Sequence, residues 1–282
     1  MKTRVLAAIP IGIILIAALI LQSWVLLGLI VLLSVLAQKE IIGAAASDGT
    51  KIVSPVCYAA NIIMPVCFLF LGSTAVYALA VFYMILLLLL FIVTMFKEDY
   101  GFEAFRSTLL CMVYPQFFFM FMYLVFVQFM GFEFIGSNPF IFLMAILPPI
   151  FSDTMAYFVG RACGKKKLCP KLSPKKTVEG AIGGVMGGVI AGFLVWLLFG
   201  SGIIWLSFNM HPAAVIIMGG VAAFISQLGD LAASFIKRHY GIKDYGHLIP
   251  GHGGILDRID SMLFAFPTVY IFCMAAAFLT LI

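Results

Sequence analysis

The sequence predicts an all-α fold: a polytopic integral membrane helical bundle of about nine transmembrane helices, with its N terminus in the cytoplasm. Of its 282 residues, 64% are hydrophobic and only 10% charged, against roughly 45 to 50% apolar in soluble domains. The apolar residues gather into runs close to the roughly 20 residues that one bilayer crossing needs. A third observation, the placement of Lys and Arg, checks the number of runs.

The predicted spans are 5 to 21, 24 to 38, 53 to 71, 74 to 96, 107 to 129, 138 to 160, 180 to 204, 212 to 236 and 261 to 281. The opening MKTR and the first run resemble a signal peptide. The run is long and has no small-x-small cleavage site, so an uncleaved first span is expected. Lys2 and Arg4 precede the first span, Lys39 and Lys51 follow the second, and Lys97 and Arg106 follow the fourth. Arg161, Lys165, Lys166, Lys167, Lys171, Lys175 and Lys176 follow the sixth; Lys237, Arg238, Lys243 and Arg258 follow the eighth. Together these are all 17 Lys and Arg residues, and none falls in an opposite connection. Basic residues favour the cytoplasmic side, and one missed span would scramble the alternation. The acids mixed with the early basic residues, Glu40, Asp48, Glu98, Asp99 and Glu103, are read as part of the same topology signal. Six cysteines without a CxxC or Cys/His cluster are expected to be packing thiols.

Ionisable groups inside a span are costly and point to function. Asp153 lies in PIFSDTMAYFVGR and Asp230 in FISQLGDLAASFIKR. Around the second, Ser226, Asp230 and Ser234 recur every four residues, followed by Lys237 and Arg238, so all five share one side of a helix facing a cavity or the bundle interior. The seventh span begins GAIGGVMGGVIAG, where Gly180, Gly184, Gly188 and Gly192, with Gly183 and Gly187 beside them, allow a close helix approach. Pro148 and Pro149 are expected to kink or unwind the sixth span near Asp153.

The stretch SFIKRHYGIKDYGHLIPGHGGILDRID concentrates charge between two apolar runs. Asp257 and Asp260, three apart, share a face of the incoming ninth helix. With Asp230 they are hard-oxygen donors of the kind Mg²⁺ takes, leaving room for a second cation. The basic loops supply anion attraction, Lys175 and Lys176 in SPKKTVEG above all. Metal and basic clamp together suggest phosphoryl or nucleotidyl transfer. Gly251, Gly253 and Gly254 let the backbone turn closely around a phosphate. His252 is expected to position a group rather than move a proton, because a phosphate nucleophile is already ionised near neutral pH.

Ser234, Lys237, Arg238, Lys243, Asp244, Gly246, Pro250, His252, Gly253, Gly254, Asp257, Arg258 and Asp260 match in order and spacing the signature of the phosphatidate cytidylyltransferase, or CDP-diacylglycerol synthase, family. SQLGD, DTMAYFVGR and LSPKKTVEGAIGG also resemble that family, so the resemblance covers about residues 150 to 265. It implies a multi-pass enzyme of the bacterial inner membrane, a homodimer of nine-helix subunits whose active site faces the cytoplasm. Such an enzyme condenses CTP with phosphatidate to CDP-diacylglycerol and pyrophosphate with Mg²⁺; its partners are these substrates and membrane lipids, not nucleic acid. On this resemblance Asp230 and Asp257 are metal ligands with Asp260 in support. Lys237, Arg238 and Arg258 hold the lipid phosphate or the departing pyrophosphate. Ser173, Lys175, Lys176, Thr177 and Glu179 form a nucleotide loop, and Asp153 lines the same cavity. Residues 1 to 140 are then a scaffold with dimer contacts, and 141 to 282 a catalytic region with cytoplasmic loops 161 to 179 and 237 to 260. One departure is Met155, at a position commonly Gly in relatives, where a side chain would narrow a site packed against that glycine. The alternatives are a CTP-dependent lipid kinase, a cytidylyltransferase for another lipid phosphate and, further off, a cation-coupled transporter.

Overall fold

The computed structural model describes residues 24 to 129, 139 to 200, 211 to 246, 248 and 253 to 281. The first predicted span, 5 to 21, lies outside the described residues, as do Gly251 and His252. Within them the chain forms α1 (Trp24–Ala46), α2 (Ser54–Leu71), α3 (Ala75–Phe96), α4 (Phe102–Phe129), α5 (Pro139–Cys163), β1 (Lys167–Cys169), β2 (Ser173–Thr177), α6 (Val178–Gly200), α7 (Pro212–His239) and α8 (Leu256–Leu281). Among the described residues 7 helical stretches are long and apolar enough to cross a membrane, which makes this a multi-pass membrane protein. The exposed face of α3 carries Met84, Ile85, Leu88, Leu89, Ile92 and Met95, a surface suited to lipid rather than water.

The stretch Ser54–Phe96 counts as a single run of 43 residues, and a straight helix of that length would extend about 65 Å. Yet Lys51 Nζ, just before it, lies 2.7 Å from Asp99 Oδ1, just after it. The run therefore doubles back at the short 3₁₀ turn Gly72–Thr74, where Gly72 adopts φ of 57°. It is a helical hairpin, with α2 and α3 as its arms.

The chain divides into two compact units. One holds the described residues up to 129 together with Lys237–Arg258; the other holds the described part of Ser137–Ile236 with Ile259–Ile282. In the first, polar side chains tie α1, α2 and α4 together. Gln38 Nε2 donates to the Cys111 carbonyl at 2.9 Å, Gln116 Nε2 donates to Gln38 Oε1 at 2.8 Å, and Asn61 Nδ2 donates to the Ser34 carbonyl at 2.9 Å. Where lipid supplies no hydrophobic drive between helices, such bonds and close contact hold a bundle together.

The second unit is built around the glycine-rich α6. A side chain at Gly187 would meet the Phe151 carbonyl of α5 at 2.5 Å, and one at Gly192 would meet the Val215 carbonyl of α7 at 2.8 Å. The small residues are used for backbone contact on two sides within the chain. Helix α5 runs through Pro148 and Pro149 without interruption, so the expected unwinding near Asp153 does not occur. Each proline removes one N–H from the ladder, and helices in membranes tolerate this where neighbours enclose the freed carbonyl. Both prolines are buried. The basic segment after α5, expected as a plain loop, instead forms an antiparallel hairpin pairing Lys167 with Thr177 and Cys169 with Ser173, with an irregular register between.

Candidate active site

The candidate residues fall into two groups, one in each unit. In the second unit a cavity of about 320 Å³ is lined from α5 by Asp153, Tyr157 and Arg161, from the hairpin by Lys175, Lys176 and Thr177, and from α7 by Gln227. That volume is at the small end of the range for small-molecule sites. Three cationic side chains against one carboxylate make the lining suitable for an anion. The long stems of Lys175 and Lys176 let both reach it from successive positions of β2.

The hairpin delivers these groups because it docks onto the start of α6. Thr177 Oγ1 accepts a hydrogen bond from Gly180 N–H at 3.1 Å, which is the N-cap arrangement. Val178 N–H donates to the Lys166 carbonyl at 2.9 Å. The Glu179 carboxylate accepts from Lys165 N–H at 3.0 Å and from Lys166 N–H at 3.3 Å. Glu179 thus ties the hairpin to the helix, and it is not among the cavity-lining residues. With these end N–H groups already bonded, the pull on an anion comes from the lysines, Arg161 and the field of the helix N terminus.

Lys176 forms an ion pair with Asp230 of α7 in which both side chains are 28% exposed. Gln227 Nε2 donates to Ser152 Oγ at 3.2 Å and to the Ala181 carbonyl at 3.1 Å, joining α5, α6 and α7 at the cavity edge. Ser226, predicted on the polar stripe, is fully buried and donates to the Ala223 carbonyl at 2.8 Å; it serves its own helix. Ser234 is half-buried and Ser173 sits in β2 opposite Cys169. Met155 does not line the cavity. Its Cβ would lie 3.0 Å from a Cβ built on Gly187, so its bulk is matched by a glycine on α6.

In the first unit the group is centred on Asp257, in the first turn of α8. Its Oδ1 accepts from Lys237 Nζ at 2.8 Å. Its Oδ2 accepts from Tyr245 N–H at 2.8 Å and from Gly254 N–H at 3.0 Å. The pair is deeply enclosed, with the Lys237 side chain 10% and the Asp257 side chain 4% exposed. The Tyr245 ring also faces the ammonium, 5.3 Å from ring centroid to Nζ. Lys237 owes its place to the end of α7, where Ile242 N–H donates to the Lys237 carbonyl at 3.0 Å and Gly241 N–H to the Arg238 carbonyl at 3.2 Å. With Gly241 at φ of 65° this is the Schellman closure, which favours glycine. Arg238, Lys243, Asp244 and Arg258 are exposed, and Arg238 Nη1 donates to the Ile242 carbonyl at 3.2 Å. Gly253 takes φ of 80°, and a side chain there would come within 2.9 Å of Asp257 Oδ2.

Glu40, read from sequence as a topology residue, belongs to this group. Its carboxylate accepts from Ile255 N–H at 2.9 Å and from Leu256 N–H at 2.8 Å. It therefore caps α8 from α1, and a side chain at Gly254 would collide with it. No local pattern announces a contact between residues 215 positions apart. Tyr157 and Arg161, by contrast, follow Asp153 at four-residue spacing, the same signal that picked out the stripe on α7.

Each of the three candidate carboxylates presents hard oxygen donors. Among the described residues Asp257 accepts three hydrogen bonds, and Asp230 meets Lys176 through one oxygen. Asp260, on α8 three residues after Asp257, accepts from Ser261 N–H through Oδ1 at 2.7 Å. Among the described residues no three His, Cys, Asp or Glu side chains gather as a metal-holding group, so a cation bound to one of these carboxylates would need water or substrate oxygens to complete its shell.

This is a multi-pass helical membrane protein with a cavity whose cationic lining suits an anion. The match to the Cytidylyltransferase family spans residues 2–276, and the chain belongs to that family. It is similar to the phosphatidate cytidylyltransferase of Staphylococcus saprophyticus, 35% identical over 129 residues, 46% of this chain and 47% of the relative. The enzyme of that name from Brucella abortus biovar 1 is 34% identical over 142 residues, 50% of this chain and 49% of the relative. That from Bacillus subtilis is 36% identical over 122 residues, 42% of each. The similarity thus spans about half the length of these curated relatives.

Proposed function

We propose that this protein condenses CTP with phosphatidate, giving CDP-diacylglycerol and pyrophosphate. The observation that carries the proposal is the cavity lined by Lys175, Lys176 and Arg161 beside the capped start of α6, in a chain belonging to the Cytidylyltransferase family. An ionised oxygen of the phosphatidate phosphate attacks the α-phosphorus of CTP. The bond from that phosphorus to the α,β-bridging oxygen breaks, and pyrophosphate leaves with the electron pair. No base is needed, since the attacking oxygen is already anionic. The work left to the protein is to hold two polyanions in line and to neutralise their charge.

Lys175 and Lys176 bind the nucleotide phosphates, with Ser173 and Thr177 shaping the strand that carries them and Asp153 bordering the same cavity. Lys237, Arg238 and Arg258 hold the lipid phosphate or the pyrophosphate, Lys243, Asp244, Gly253 and Gly254 lie in the segment that follows Arg238, and His252 has a positioning role. Asp230 and Asp257, with Asp260 in support, are the residues that would hold Mg²⁺. When bound, the ion supplies neutralisation of charge on the reacting phosphates. Lys176 and Lys237 are the cationic partners of Asp230 and Asp257.

We further propose nine spans with the N terminus and both basic loops in the cytoplasm of a bacterium, in its inner membrane, and assembly as a homodimer. The α2–α3 hairpin supports the span number, since it turns the single stretch Ser54–Phe96 into two crossings. Residues 1 to 140 serve as scaffold and 141 to 282 carry the chemistry, with Lys237–Arg258 held among the N-terminal helices.

The test is thin-layer chromatography of lipids from purified protein given phosphatidate and labelled CTP, with and without Mg²⁺. A Mg²⁺-dependent lipid retaining the cytidine label is expected. Transfer of the γ-phosphate alone to a lipid alcohol would instead establish the kinase reading.

A further inference from the structure

We infer that Glu40 is a positioning residue for the proposed reaction, which fastens the turn 253 to 258 so that Asp257 is presented to Lys237; the inference rests on the functional reading above. Three observations converge on it. The Glu40 carboxylate takes two successive N–H groups at the start of α8, Ile255 at 2.9 Å and Leu256 at 2.8 Å. The next residue of that helix is Asp257, whose Oδ2 accepts the preceding Gly254 N–H at 3.0 Å. Glycine stands at both positions where a side chain would intrude, since a Cβ at Gly246 would lie 2.7 Å from Glu40 Oε1 and one at Gly254 would overlap the carboxylate. The turn is thus gripped by two carboxylates, one from its own helix and one from α1.

The chemistry explains why an acid is needed there. The first N–H groups of a helix lack partners within the helix and carry partial positive charge. Unfilled, they would attract a substrate phosphate onto the end of α8. Glu40 fills them, which orients the first turn and leaves the cationic side chains as the anion's partners. Support of this kind behind a ligating carboxylate is commonly worth about 10- to 100-fold in metal affinity or activity.

The experiment uses the full-length protein in lipid nanodiscs and compares wild type with E40Q, E40A and G254A. Hydrogen exchange of peptides covering 253 to 263 reads the fastening without reference to activity. E40Q keeps one acceptor oxygen and should exchange faster at Ile255 and Leu256 than wild type. Exchange around Thr177 to Ala181, in the other unit, should not change. In the lipid-product assay E40A should lower kcat by about tenfold or more and raise the Mg²⁺ concentration for half-activity, with KM for CTP within about twofold. E40Q should recover part of the loss. G254A, which keeps the carboxylate but displaces it, should behave as E40A does.

Unchanged exchange in E40Q, or wild-type kcat and Mg²⁺ dependence in G254A, overturns the inference. If E40A does not fold, E40Q and G254A decide the matter. If wild type itself makes no cytidine lipid, the functional reading fails, and the exchange arm still judges whether Glu40 fastens the turn.

Discussion

Replacing Asp257 by Asn tests the buried ion pair as well as the chemistry, and the two effects can be separated. In wild type the Lys237 ammonium is enclosed, its side chain 10% exposed and that of Asp257 4% exposed. Asn removes the compensating charge, and its one carbonyl oxygen cannot serve both Lys237 Nζ and the N–H groups of Tyr245 and Gly254. Breaking a buried pair from one side costs about 3 to 5 kcal/mol. At roughly 2 to 4 °C per kcal/mol for a domain of 150 to 250 residues, the smaller cost already lowers Tm by about 6 to 12 °C. Lys237→Met leaves the carboxylate stranded and should cost a similar amount. The double variant D257N/K237M removes both charges and should regain most of the lost stability, because the pair's attraction and its desolvation largely cancel. Turnover should be absent in all three. The assay is thermal unfolding in detergent followed by a thiol-reactive dye, which the buried Cys57 and Cys111 report on exposure. A Tm for D257N within about 2 °C of wild type would refute the reasoning. So would a double variant whose loss is the sum of the two single losses, since coupled charges are not additive.

Asp230→Asn should abolish turnover with a stability cost of about 1 kcal/mol or less, because its pair with Lys176 is part-exposed; a large loss of Tm would show that Asp230 is structural. Lys175→Ala should raise KM for CTP about tenfold, the low end for a charge-assisted hydrogen bond, with kcat little changed. An unchanged KM moves the nucleotide elsewhere. Gly187→Ala forces a methyl against the Phe151 carbonyl of α5 and should cost about 1 to 3 kcal/mol by overpacking, seen as a lower Tm in the same dye assay.

The apolar runs, the alternation of basic segments and the polar spacings are one-dimensional signals, and each could be read directly. Helix α7 with Asp230, helix α8 with Asp257 and the glycine face of α6 are therefore where the residue pattern puts them. The proline pair of α5 does not unwind its helix, because whether a freed carbonyl does so depends on the neighbours that enclose it. The hairpin of β1 and β2 was hidden for a related reason: seven basic residues in one segment look like a solvated loop until Glu179 ties its backbone to α6.

Sequence by itself determined the membrane class and the family, because a bilayer crossing and a family signature each demand particular residue types at particular spacings. Only the tertiary structure decided which carboxylate meets which cation. It gave Asp230 to Lys176 and Asp257 to Lys237, took Ser226 into the helix core, and made Glu40 the cap of a helix 215 residues away. Those pairings depend on which helices lie side by side, and hydrogen bonds reach only about 3 Å, so no spacing along the chain could have specified them.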